Sequence, residues 1–208
     1  MNLPIYLDYQ ATTPVDQRVL DAMLPYFTSA FGNSASRSHA FGWKAEEAVD
    51  TAREQIASIL NASSKEIVFT SGSTEAINLA MKGVGEMYGA KGKHIITSLA
   101  EHKAVLDTAK HMEKEGFEVT YLEPDGNAAI SAEQVRDAIR EDTILVSVMW
   151  ANNEVGTINP IREIGAVCRE KGVLFFTHAT QAVGKIPVDV EADNIDMLCL
   201  SGHKVYGP

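Results

Sequence analysis

Lys204 follows a short apolar run, Asp196-Met197-Leu198-Cys199-Leu200, inside the segment Ser201-Gly202-His203-Lys204-Val205-Tyr206-Gly207-Pro208. A lysine on a loop leaving a strand, among small polar residues, is a candidate Schiff-base nucleophile. Open α/β sheets collect ligands at the edge where such loops emerge. Four further polar clusters sit where a strand or helix pattern ends. Gly72-Ser73-Thr74 follows Val68-Phe69-Thr70 and opens a helical stretch. First-turn N–H groups lack intrahelical acceptors there, and the helix dipole suits an anionic phosphate. Simple helix capping by Ser71 or Ser73 accounts for the same residues. The other clusters are Ala100-Glu101-His102-Lys103, Trp150-Ala151-Asn152-Asn153-Glu154-Val155-Gly156 and Thr177-His178-Ala179-Thr180-Gln181. Singly, each has an ordinary explanation: His102 as a helix start, Asn153 as a turn former, Lys204 as a surface charge. Five together at one sheet edge are not explained by packing.

The elements that must position them alternate along the chain. Asp16 to Thr28 reads as a helix with Val19, Leu20, Met23 and Phe27 on one face, and Gly42 to Leu60 as a longer one with Ala45, Ala48, Val49, Ala52, Ile56 and Ile59. Strands are predicted over Glu66–Thr70, His94–Thr97, Glu118–Leu122, Ile144–Met149, Val173–Phe176 and Asp196–Leu200. Helices are predicted over Ser73–Met87, Lys103–Lys114, Ala132–Arg140 and Arg162–Lys171. Strands separated by helices of about ten residues imply crossover units and a mostly parallel sheet. The fold expected is therefore α/β, three-layered, with helices flanking the sheet. Leu7 to Pro14 looks extended and sets residues 1–15 apart as a segment that docks on a neighbouring domain.

Composition removes several function classes. The 208 residues carry 18 Lys and Arg against 28 Asp and Glu, a net charge of −10, which disfavours nucleic acid and anionic membrane as partners. No apolar stretch reaches the length of a membrane span, and Met1-Asn2-Leu3-Pro4 has no signal-peptide character. Cys168 and Cys199 are too few for a disulfide scaffold and read as buried thiols. The six histidines show no ligand spacing with each other or with the cysteines, so no metal site is expected. Walker-type phosphate loops are absent, and Gly83-Val84-Gly85 follows a helical pattern, which makes it helix interior and not a dinucleotide turn.

Six segments together carry a resemblance. Tyr6-Leu7-Asp8-Tyr9-Gln10-Ala11-Thr12-Thr13-Pro14, Phe31-Gly32-Asn33-Ser34-Ala35-Ser36 and Phe69-Thr70-Ser71-Gly72-Ser73-Thr74-Glu75 are followed by Glu101-His102-Lys103-Ala104-Val105-Leu106, Ala151-Asn152-Asn153-Glu154-Val155-Gly156-Thr157 and Ser201-Gly202-His203-Lys204. In this order they resemble the N-terminal part of cysteine desulfurases of the NifS/IscS group, pyridoxal-phosphate enzymes of the class V aminotransferase family. The resemblance implies the large domain of the fold-type I pyridoxal-phosphate enzymes over residues 16–208, incomplete at its C-terminal end. It implies pyridoxal 5'-phosphate as cofactor, L-cysteine as substrate, and a sulfur-acceptor or iron–sulfur scaffold protein as partner. A cytoplasmic homodimer is implied as well. Lys204 would bond the cofactor aldehyde and move protons at the substrate α-carbon. Ser73, Thr74, Ser201 and His203 would hold the phosphate, with Gly202 shaping their loop. His102 would stack on the pyridine ring, Gln181 would bond the ring hydroxyl, and Asn153 would lie near ring and substrate.

Two departures stand out. His178 occupies the position where this group carries an aspartate, whose carboxylate pairs with the protonated ring nitrogen and sustains the electron sink. An imidazole brings no negative charge. Three outcomes follow: cofactor binding with slowed chemistry, a variant that has lost catalysis, or compensation by a neighbouring acid; the first is favoured. The cysteine that would carry persulfide in this group matches neither Cys168 nor Cys199, so turnover by this chain alone is not expected. The competing readings are a non-catalytic pseudoenzyme or interaction subunit, and another class V enzyme such as a selenocysteine lyase or aminotransferase.

Overall fold

The computed structural model describes residues 4–208; Met1, Asn2 and Leu3, at the start of the expected extended segment, lie outside them. The chain forms two compact units, one of residues 1–69 with 202–208 and one of residues 70–201. No helix among the described residues is long and apolar enough to cross a membrane.

The second unit is an α/β layer structure. Five strands, β1 (His94–Ser98), β2 (Glu118–Leu122), β3 (Thr143–Ser147), β4 (Leu174–His178) and β5 (Met197–Cys199), form one sheet in the order β2-β1-β3-β4-β5. Every pairing is parallel, so all five strands end on one edge. Parallel sheets are covered on both faces, and their strands accordingly read as continuous apolar runs. Strand alternation sends Ile95, Leu145 and Phe176 to one face, where they meet Ile77, Met81 and Val84 of α3 (Ser73–Tyr88) and Val105, Ala109 and Met112 of α4 (Lys103–Lys114). Phe175 takes the opposite face, and α6 (Ile161–Lys171) packs against β4, with α5 (Ala132–Ala138) beside α6. Asn159 ties this region together: its Nδ2 donates to the Met149 carbonyl and its Oδ1 accepts the Ile130 N–H, both at 2.8 Å. Gly83 and Gly85 lie inside α3 as expected, and Gly85 is buried against Met112 and Phe117, where a Cβ would clash.

The first unit holds α1 (Gln17–Thr28), capped by the Asp16 carboxylate, which accepts the Arg18 N–H, and α2 (Ala40–Leu60), capped by His39. Two sequence expectations change here. The predicted strand over 66–70 is replaced by a 3-10 turn, Ser64–Glu66, whose Ser63 hydroxyl and Glu66 carboxylate form a capping box; residues 67–70 join no sheet. An apolar run favours extended backbone, but a strand also requires a ladder partner, and here the Ile67 carbonyl is taken by the Arg53 guanidinium, which also lies over the Phe69 ring. The apolar faces of α1 and α2 also differ. α1 buries no residue completely, Phe27 is 73% exposed, and α2 buries Gly42, Ala45, Ala57 and Leu60 while Ile59 faces solvent. Tyr26, Ala30, Ala48, Val49, Ala52 and Phe69 are among the residues lining an apolar cavity of about 380 Å³ in this unit.

Candidate active site

The strand order reverses beside β1: the chain runs outward to β2, then returns past β1 to β3. Ligands of open α/β sheets bind outside the strand ends at such a switch point. The loops leaving β1 and β3 are locked together there, because Asn152 Nδ2 donates to the Ala100 carbonyl at 2.9 Å. Asn152 Oδ1 accepts the N–H groups of Glu154 and Val155 and shapes its own turn. Asn153 turns to Glu154, donating from Nδ2 at 2.6 Å.

His102 is the N-cap of α4, with Nδ1 accepting the Ala104 N–H at 3.1 Å. That bond assigns the lone pair to Nδ1, which leaves Nε2 to carry the proton in the neutral ring. The His102 ring meets the His178 ring edge-on, with centroids 5.5 Å apart. His178 ends β4 and is 5% exposed. Between these loops lies Glu101, 7% exposed, whose Oε2 accepts the His102 N–H at 3.3 Å and whose carboxyl also takes a backbone bond from Met149. Burial pushes this carboxyl up to about 8, against those two backbone bonds, so it holds its proton at neutral pH. Its Oε1 has no hydrogen-bond partner among the described residues, nor have the buried hydroxyls of Thr97 and Ser147, which are register partners on β1 and β3.

The small-residue turn that the sequence offers to a phosphate lies at the start of α3. Gly72 has φ +151° and ψ 176°, a region essentially reserved for glycine, and makes no side-chain cap. A Cβ added at Gly72 would meet nothing within 4 Å, so the backbone conformation, not crowding, requires glycine. Glu75 closes the preceding turn by accepting from the Ser71 N–H and hydroxyl at 2.6 and 2.7 Å. Ser71 is thereby excluded as the cap. Ser73 Oγ instead pairs with Thr180 Oγ1 at 2.8 Å, joining the start of α3 to the loop after β4. Thr74 is exposed, and its carbonyl accepts the Asn78 side chain. Gln181 is buried and accepts from the Lys185 ammonium. Ser201, half-buried, follows β5.

Gly202, His203 and Lys204 form a 3-10 turn in the other unit. Gly202 accepts the N–H groups of Val205 and Gly207 at 3.0 and 2.9 Å, and a Cβ on Gly202 would lie 2.8 Å from the Pro208 carbonyl. His203 Nδ1 pairs with Thr12 Oγ1 at 3.1 Å, and Lys204 is half-buried.

Within residues 70–201 the structure therefore joins Ser73 to the β4 loop and His102 to His178, while Asn153 and Gln181 bond neighbours on their own loops. Sequence reasoning gave no role to Glu101, Thr180 or Thr97. Their signal was position: a carboxylate next to His102, and hydroxyls at strand ends. The donor set fits the phosphate end of pyridoxal phosphate, since the uncapped α3 terminus, Ser73 and Thr180 offer N–H and O–H groups. At residue 178 the fit fails for a protonated ring nitrogen, because an imidazole stands where a carboxylate is implied. Cys168 and Cys199 are buried, and burial pushes both thiols up to about 12, which leaves them without thiolate character.

The sequence model of the family described as Aminotransferase class-V matches residues 5–208. Cysteine desulfurase IscS of Anaeromyxobacter sp. (strain K) is 60% identical over 208 residues, covering 100% of this chain and 52% of the relative. A solved structure of SspA in complex with cysteine superposes with TM-score 0.95 at 47% identity, covering 99% of this chain and 59% of that one. A NifS-like protein gives TM-score 0.95 at 40% identity, covering 99% of this chain and 57% of its own. The chain thus spans about half the length of the curated relatives it matches.

Proposed function

The chain belongs to the class-V aminotransferase family, and from that premise we propose that it is the cofactor-binding portion of a pyridoxal-phosphate-dependent cysteine desulfurase. The cofactor, common to class V aminotransferase and cysteine desulfurase relatives, supplies the electron sink for bonds broken at the substrate α-carbon. The proposal covers the whole reaction: L-cysteine as substrate, alanine and a protein persulfide as products, and a sulfur-acceptor or iron–sulfur scaffold protein as recipient. Residues 1–15 as an extended segment, 16–208 as the large domain, a homodimeric assembly and a cytoplasmic setting belong to the same reading.

The observation that carries it is the uncapped α3 terminus, bonded through Ser73 to Thr180, at the sheet edge where His102 meets His178. In this reading Ser73 and Thr74, with Ser201 and His203 on the Gly202 loop, hold the phosphate. His102 presents its ring to the cofactor face, Gln181 bonds the ring hydroxyl, and Asn153 borders the substrate. Lys204 anchors the cofactor and holds the proton moved at the α-carbon. His178 sets the ring nitrogen's partner as an imidazole, which binds an unprotonated nitrogen and weakens the electron sink. This last point favours, as a second reading, a protein that binds the cofactor without turnover.

Titrating the 208-residue chain with pyridoxal phosphate tests the first reading. A visible band, and a borohydride-stable adduct mapped to Lys204, are expected; an adduct on other lysines alone sinks it. His178→Asp separates the two readings. Tighter cofactor binding and a spectrum shifted toward the protonated ring, with faster sulfide release from cysteine when the same change is made in a full-length context, support a weakened but genuine site. Unchanged spectra and no sulfide leave the pure binding role.

A further inference from the structure

The turn carrying Lys204 is held from outside itself. Thr13, only 8% exposed, donates both its N–H and its hydroxyl to the His203 carbonyl, at 2.8 and 2.9 Å. The same hydroxyl oxygen accepts the Tyr206 N–H at 2.9 Å. One side chain thus bonds the residue just before Lys204 and the residue two positions after it, using its donor and its acceptor at once. Asp16 N–H donates to the Tyr206 carbonyl at 3.0 Å, Thr12 Oγ1 pairs with His203 Nδ1, and the Tyr9 ring meets the Tyr206 ring edge-on at 6.4 Å.

Tyr206 shows why such restraint is required. Its φ is +62°, a left-handed conformation that a bulky side chain adopts only when its surroundings over-determine it. Within the turn, the hydrogen bonds from Val205 and Gly207 to Gly202 close the loop but leave the Tyr206 peptide groups to Thr13 and Asp16. The strained residue is therefore fixed by residues 190 or so positions earlier in the chain.

We propose that Thr13 is a positioning residue for the lysine turn: its hydroxyl clasps the backbone on both sides of Lys204 and so sets how the amine is presented. Assigning the amine to the cofactor rests on the function proposed above; the clasp does not. Residues 12–16 are then part of the lysine's site, although none of them touches the reacting atoms.

Three variants of the 208-residue chain test this: Thr13→Val, which keeps shape and loses the hydroxyl; Thr13→Ser, which restores it; and Thr12→Val, at an exposed residue. The first readout needs no cofactor. Amide exchange at Tyr206, followed by NMR, is expected to accelerate on the order of 10-fold in Thr13→Val and to return near the parent rate in Thr13→Ser. Thr12→Val, losing one exposed bond, is expected to loosen the His203 region by roughly 2-fold and guards against a Thr13→Val chain that does not fold. The second readout is the rate, against pH, of borohydride-trapped pyridoxal phosphate at Lys204, expected to fall in parallel and recover with serine. Parent-like exchange and trapping in both valine variants, or a serine variant as loose as valine, overturns the proposal. Faster Tyr206 exchange in Thr13→Val, in a chain whose parent gives no Lys204 adduct, supports the clasp and overturns the cofactor reading instead.

Discussion

The two ends of the central sheet bury histidines in opposite ways. At the N-terminal end, His94 is fully buried, yet its Nδ1 meets Thr143 Oγ1 at 2.7 Å and its Nε2 meets Thr120 Oγ1 at 2.8 Å. Thr143 also accepts the Arg140 N–H, and the Arg140 guanidinium forks onto Glu118 and Asp142 around the rim. Each polar group of the His94 ring has a partner, and the ring pins three strands. At the C-terminal end, His178 and His102 face each other beside Glu101, and the buried oxygens of Thr97, Ser147 and Glu101 lack partners among the described residues. Buried polar groups are ordinarily satisfied, and those left over mark functional places or sites for water and ligands. One end is built for stability, and the other keeps polar capacity in reserve.

The largest expected effect breaks the satisfied end. His94→Ala takes the imidazole from the buried Thr143 hydroxyl and the half-buried Thr120 hydroxyl and opens a cavity, so destabilisation of about 3 kcal/mol in chemical denaturation is expected, with cofactor affinity unchanged per folded molecule. A loss below about 1 kcal/mol would show that this end is no better built than the other.

The pH dependence sharpens the contrast. Burial holds the His94 imidazole below its usual range, so its stabilising contribution is present above about 6.5, the unfolded value, and is lost as the pH falls through the lower folded value. Glu101 acts in the reverse sense. Its carboxyl is raised from 4.5 to about 8, so its own contribution is fully present below 4.5 and is lost as the pH rises through about 8. Melting curves across pH should therefore lose the decline between 4.5 and 8 in Glu101→Gln and keep the acid decline set by His94. A decline between pH 4.5 and 8 that survives the substitution would remove Glu101 from the account, whereas a loss above 9 belongs to the buried thiols of Cys168 and Cys199.

A smaller effect is expected at the open end. Ser73→Ala removes a half-buried hydroxyl paired with Thr180, and should weaken pyridoxal-phosphate affinity roughly 10-fold while shifting stability by about 1 kcal/mol or less. The smallest belongs to the rim: Arg140→Ala loses exposed, solvent-screened ion pairs, so only a slight fall in melting temperature is expected at low salt, and salt should remove it.

Local pattern carried most of the sheet unit. β2 and α4 lie where the periodicity predicts them, and the other strands and helices of residues 70–201 differ only at their ends. The failures are instructive. Residues 66–70 have strand composition but no ladder, because pairing is decided by distant chain and not by the run itself. The apolar faces of α1 and α2 were legible as periodicity, while the extent of their burial depended on which layers the chain brings against them. In the site, His102, Ser73 and His178 were legible because reactive side chains cluster after strands. Glu101 was not, because an acidic residue in a loop reads as solvated until burial and two backbone donors are seen around it.

The sequence by itself determined the alternation of helix and strand, the glycine demanded at position 72, the polar loops at the strand ends and the imidazole at 178, since these follow from side-chain type and near-neighbour spacing. Only tertiary structure decided the strand order that sets the switch point beside β1, the proton held by Glu101, the His102–His178 contact and the Thr13 clasp around the lysine turn. Each of those depends on groups far apart in the chain meeting out of water, where solvation and pairing are settled by neighbours that no local pattern names.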